Sequence, residues 1–154
     1  MSRPLRLGQA MVLLLAAGGC GPGKNQLSGS MREELTLTFD EVRAEWIVDD
    51  FVVRYLNGAG RGGTEPVRLT IPGAAIDGTT EIPIDQVRVE HFVAVHNVDG
   101  SVTEEPKFPT VESGWVRPET VSTHPEGPAR GTFSVHFEGG RTLGGGFDVT
   151  VTAP

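Results

Sequence analysis

Four histidines, the acid pairs Asp40-Glu41, Asp49-Asp50 and Glu104-Glu105, two tryptophans and one cysteine are the side chains of this 154-residue sequence singled out for chemistry. The histidines are His91, His96, His124 and His136. A zinc site needs imidazole nitrogens that converge on one ion. His91 and His96 are five residues apart, so a regular strand puts them on opposite faces, and only a bulge would bring them together. They read instead as solvent-facing strand residues, as does His136, which alternates with an apolar face. Asp40-Glu41, Asp49-Asp50 and Glu104-Glu105 fall where turns are expected. Calcium takes clustered carboxylates and carbonyls, and Asp49 with Asp50 is the place for such a site. Turns also use aspartate to bond their own backbone, which explains the aspartates without a ligand. A carboxylate pair for glycoside hydrolysis is defined by a distance in space, so the sequence leaves it open. Trp46 and Trp115 could stack on a sugar. Trp46 alternates with apolar neighbours and reads as core; Trp115, beside Gly114 and Arg117-Pro118, reads as the more exposed ring.

Motifs that would fix a reaction are missing from the sequence. There is no G-x-S-x-G elbow, no zincin helix and no EF-hand loop. A single cysteine, Cys20, makes neither a two-cysteine metal knuckle nor an internal disulfide. Gly144-Gly145-Gly146 has no following Lys-Ser/Thr pair or helix, so it does not read as a phosphate loop. Arg61-Gly62-Gly63 is one copy of a motif that works in repeats, and reads as a loop. No catalytic residue, metal or cofactor is therefore expected. The formal charge is -7, from 20 acidic and 13 basic residues. That balance argues against nonspecific nucleic-acid binding, which needs a basic face, and no nucleic acid is expected as a partner.

The elements that must position these residues read as strands. Leu35, Leu37 and Phe39 alternate with threonines. Val42, Ala44, Trp46 and Val48 alternate with charged residues, and Phe51, Val53 and Tyr55 follow. Val67, Leu69 and Ile71 form another run, and Val87 and Val89 a further one. Period-two alternation of this kind marks strands with one buried face. Asn57-Gly58, Asp77-Gly78 and Asp99-Gly100 supply turns. Residues 131–151 read as a hairpin closed by a two-residue Gly139-Gly140 turn. Phe133, Val135 and Phe137 share its apolar face with Leu143, Phe147, Val149 and Val151. Gly144–Gly146 within the returning strand predict a bulge or the close approach of another backbone. Thr103 to Gly131 carries five prolines and reads as a long irregular connection with at most one or two short strands. The expected class is all-β: an antiparallel β-sandwich of immunoglobulin-like or jelly-roll type with about seven to nine strands.

The N-terminus reads as an address. Arg3 and Arg6 precede an uncharged apolar run from Leu7 to Ala17, and small residues follow, in the order of an export signal. The run is too short to span a bilayer. Ala17-Gly18-Gly19-Cys20 resembles the lipobox of bacterial lipoproteins, with Ala17 where leucine is commonest. The resemblance covers residues 1–20 alone. It implies cleavage between Gly19 and Cys20, a diacylglycerol on the Cys20 sulfur and, in many bacteria, an acylated amine. Gly21 in place of aspartate implies sorting to the outer membrane of a Gram-negative cell. Ala17-Gly18-Gly19 also fits an ordinary signal peptidase site, which would release a soluble protein.

Three segments follow from this reading: a signal peptide over 1–19, a flexible tether over 20–30, and a β-sandwich domain over 31–154. Without residues 1–19 the formal charge is -9. The expected protein is a lipid-anchored module of the cell envelope, held at the membrane by its N-terminal lipid. Its role is binding or structural, towards an envelope protein or a glycan. Two alternatives stand beside it: an envelope hydrolase whose site assembles only in the fold, and a secreted, unanchored binding module.

Overall fold

Alternating apolar residues become strands here wherever the apolar face can be covered. The computed structural model describes residues 24–58, 63–78, 80–96, 98–106 and 108–153. Ten strands run in chain order: β1 (Gln26–Ser28), β2 (Glu41–Ile47), β3 (Asp50–Asn57), β4 (Thr64–Pro72), β5 (Ile82–Pro83), β6 (Arg88–His96), β7 (Val102–Pro106), β8 (Val111–Val121), β9 (Pro128–Phe137) and β10 (Arg141–Thr152). Three single 3₁₀ turns, at Ser30–Glu33, Gly73–Ala75 and Ile84–Gln86, are the helical geometry among the described residues.

The expected all-β class holds. The strands form one hydrogen-bonded path, β5-β8-β9-β10-β2-β3-β4-β6-β7, with β1 added to β10. The path curls into a half-barrel. Pairing is antiparallel except at one junction, where β10 runs parallel to β2 through Val151↔Ala44 and Thr152↔Glu45. The sheet is therefore mixed rather than wholly antiparallel. The core fills the inside of the curl: Phe51, Val53 and Tyr55 of β3, Val67, Leu69 and Ile71 of β4, Val135 and Phe137 of β9, and Leu143 and Phe147 of β10 are fully buried. Each such large side chain contributes about 1.5–3 kcal/mol of burial free energy.

The 131–151 hairpin has the expected face. Phe133, Val135, Phe137, Leu143, Phe147 and Val151 are buried and Val149 half-buried. Its loop has three residues rather than two, because Phe137 pairs with Arg141 across Glu138-Gly139-Gly140. Gly139 and Gly140 both take positive φ, +83° and +76°. The close approach expected at the strand glycines is also present. β1 lies on β10 with Gln26↔Gly146, Leu27↔Gly145 and Ser28↔Gly144.

That contact corrects the tether. Its second half is ordered: β1 adds a rung to β10, and Met31, fully buried, plugs the core behind it. Residues 20–23 lie outside the described residues. Leu35–Phe39 keeps the alternation of burial, with Leu37 buried and Thr36 and Thr38 exposed, yet belongs to no strand. The run from Val42 to Tyr55 is two strands, with Ile47 paired to Asp50 across Val48-Asp49. The proline-rich stretch holds an eleven-residue strand, β8. β8 admits Pro118 because its outer side is paired only at Trp115 and Val116, and a bulge follows between Pro118 and Thr120. Glu104 and Glu105 belong to β7 rather than to a turn.

The strand directions define two ends. One end carries the β2–β3 turn at Val48-Asp49, the Gly73–Ala75 turn and the β8–β9 connection. The other carries the β9–β10 turn, the start of β4 and the β6–β7 connection.

Candidate functional site

Strand β6 continues the inward face of Val87 and Val89 to residue 91, and period two therefore drives a histidine into the interior. His91 is 6% exposed, which corrects the expectation that it faces solvent. Its Nδ1 lies 2.7 Å from the Pro66 carbonyl oxygen. A carbonyl only accepts, so Nδ1 carries the proton and the lone pair of the neutral ring is on Nε2. No described residue hydrogen-bonds Nε2. The ring packs at 5.4 Å from Phe108, which in turn lies 5.2 Å from Phe137.

His91 borders a depression of about 430 Å³ with Glu34, Leu35, Thr36, Asn57, Thr64 and Phe92. It opens at the end of the curl opposite the Val48-Asp49 turn. Thr36 and Thr64 offer hydroxyls. Asn57 donates its amide to Thr38 Oγ1 at 3.2 Å, which leaves its carbonyl as an acceptor. Glu34 is engaged by Arg141. The Phe92 ring is capped by the Arg68 guanidinium at 4.0 Å. One basic nitrogen, two hydroxyls, a carboxamide and one aliphatic wall suit a neutral ligand rich in hydroxyl or amide groups.

A second depression, of about 180 Å³, lies on the outer face of β2, β3, β4 and β6. Arg54, Arg68 and Arg88 line it with Asp50 and Glu90. These cations are already answered. Glu65, 6% exposed, is bonded by Arg68 and lies 3.8 Å from Arg54. Arg54 Nε is 3.0 Å from Glu45, though out of line for a hydrogen bond. Arg88 sits 3.5 Å from Asp50. The face is a self-neutralised lattice, and its long side chains shield Val52 and Thr70 beneath them.

The residues singled out from the sequence do not converge. Gly19 and Cys20 lie outside the described residues. His124 and His136 are exposed, and His96 is placed in β6. Among the described residues no group of three histidine, cysteine or acidic side chains could hold a metal ion. Asp49 is exposed in its turn. Trp46 is half-buried, donates from Nε1 to the Ser122 carbonyl at 2.8 Å and packs 5.3 Å from Phe51. Trp115 is half-buried too, with the Arg117 guanidinium 5.3 Å from its ring. The signal for His91 was present in the sequence, since 87, 89 and 91 share one strand face.

The chain matches no known family, no curated protein and no solved structure.

Proposed function

We propose that this protein is a lipid-anchored binding module of the bacterial cell envelope, acylated at Cys20 and held at the outer membrane. The observation that carries the reading is the spacing of the lone thiol from the fold. Five residues separate Cys20 from the first strand at Gln26. The fold takes up the chain immediately after the lipobox-like segment, and the chain enters β1 from the end that carries the Val48-Asp49 turn. The His91 depression opens at the opposite end. A module anchored through Cys20 would therefore offer that depression away from the bilayer, towards an envelope glycan or protein.

The finer reading of the fold belongs with this proposal: a sandwich of two sheets joined at the β10–β2 corner. Its support is the set of contacts across the interior. The rings of Phe51 and Phe147 are 6.3 Å apart, and those of Tyr55 and Phe133 are 6.1 Å apart.

The anchoring is tested by labelling cells with a fatty acid. The wild-type protein incorporates label, and Cys20→Ala loses it and accumulates as the larger precursor. A wild-type protein recovered from the periplasm with an unmodified thiol would replace this reading with that of a secreted module.

A further inference from the structure

Ile47 and Val48 form an apolar tip that the fold holds out into solvent. Val48 is 91% exposed and Ile47 41% exposed. Val48 also has a φ of +56°, a region that β-branched residues avoid. The tip thus goes against both solvation and backbone preference. Backbone outliers of this kind cluster at functional positions.

The register says what lies in front of the tip. β1 is antiparallel to β10, so the chain traced backwards from Ser28 runs towards the C-terminal end of β10. Asn25 Oδ1 accepts from the Asp148 amide at 2.8 Å, which places residues 24–25 beside Asp148. β2 is parallel to β10 with Ala44 opposite Val151. Ile47 therefore lies about six strand residues beyond Asp148 in that same direction, or about 20 Å. Lys24 and Cys20 are four residues apart, a reach of at most about 14 Å. An anchor at Cys20 is too short to hold the tip clear of a bilayer when the domain stands on this end.

We propose that Ile47 and Val48 enter the headgroup layer of a phosphatidylethanolamine-rich bilayer and set the orientation of the anchored domain. This rests on the reading of Cys20 as acylated. The chemistry of the end favours that lipid class. Asp49 is exposed in the tip and Glu126 on the β8–β9 connection at the same end, while Asp50 is paired with Arg88 at 3.5 Å. Carboxylates are repelled by anionic lipid, and a zwitterionic phosphatidylethanolamine surface admits them without that repulsion. Val98, the other exposed large apolar side chain among the described residues, is in the β6–β7 connection at the opposite end and provides the control.

The test uses the full acylated protein, whose Cys20 sulfur is blocked by its thioether, so that an introduced cysteine is the free thiol. Val48→Cys and Val98→Cys are each labelled with a polarity-sensitive fluorophore and bound to vesicles of phosphatidylethanolamine and phosphatidylcholine. The label at 48 should brighten several-fold, shift to the blue and be quenched by brominated lipid; the label at 98 should do none of these. Ile47→Cys is the second reporter on the same tip, should the strained turn reject cysteine at 48. Labels at 47 and 48 that behave like the label at 98, on protein that floats with the vesicles, would overturn the proposal and leave the anchor standing. A precursor that mass spectrometry shows to be unacylated would overturn both.

Discussion

The phenolic oxygen of Tyr55 donates to the carbonyl oxygen of Gly146 at 2.7 Å, and both residues are buried. The bond crosses the interior between β3 and β10, strands that are not neighbours in the sheet. Burial pushes the Tyr55 phenol well above the ordinary tyrosine range. Tyr55 is the sole tyrosine of the chain, so tyrosinate absorbance reads this one contact.

The sign of the pH effect follows. The folded-state pKa is raised, so the stabilisation is complete below the unfolded value of about 10. Above it, the unfolded chain releases a proton that the folded chain keeps, and stability falls by about 1.4 kcal/mol per pH unit. Tyrosinate absorbance should therefore appear only together with loss of the β-sheet circular dichroism signal. Tyr55→Phe should cost about 1–3 kcal/mol at neutral pH, by leaving a buried carbonyl without that donor, and should lose this alkaline slope. Smooth titration of the phenol in a folded protein would show that the ring is open to solvent.

Val48→Gly should raise the thermal midpoint. Val48 is the one residue of its two-residue turn with positive φ, the position that glycine fills in a type II′ hairpin. Relief of the strain should stabilise the domain by about 1 kcal/mol, a few degrees for a chain of this size. Differential scanning calorimetry checks it. A lower midpoint would mean that the valine side chain makes contacts worth more than its strain.

Gly145→Ala and Gly144→Ala should differ although they are neighbours. A Cβ on Gly145 would stand 2.5 Å from Phe133 Cε1 and 2.7 Å from the Gln26 carbonyl oxygen. The ring and β1 cannot both yield, and overpacking of this kind costs about 1–3 kcal/mol. A Cβ on Gly144 would meet only the Ser28 hydroxyl oxygen, at 3.2 Å, and more distant atoms. Equal denaturation midpoints for the two variants would show that β1 is not seated on β10.

Much of the β architecture was legible, because alternation is a local property. The faces of Phe133–Phe137 and Val67–Ile71 follow from period two alone. The tether misled because its composition is polar and glycine-rich. Gln26–Ser28 is ordered through main-chain bonds to Gly144–Gly146, and backbone pairing leaves little trace in side-chain type. Asp49-Asp50 marked a turn, but Val48 continued the apolar alternation one residue into it, at a position where glycine would have announced the positive φ. Prolines made β8 look irregular, because a strand with one largely unpaired side tolerates them. His91 was misread as solvent-facing, although its place on the strand face of 87 and 89 marked it as inward. The depression around it was not legible, since Thr36, Asn57 and Thr64 join it only when separate segments meet.

The role of β10 has a consequence for how the chain acquires its shape. β10 pairs with β1, β2 and β9, so the two earliest strands and the preceding strand all find their partner in the same twelve residues. A chain emerging from a ribosome or a translocation channel with its N-terminus leading cannot close its core until Arg141–Thr152 is free. The β2-β3-β4 meander can pair locally before that moment; β1 and Met31 cannot. Topology thus postpones folding to the end of synthesis or passage. A channel that admits only unfolded polypeptide would receive it in that state.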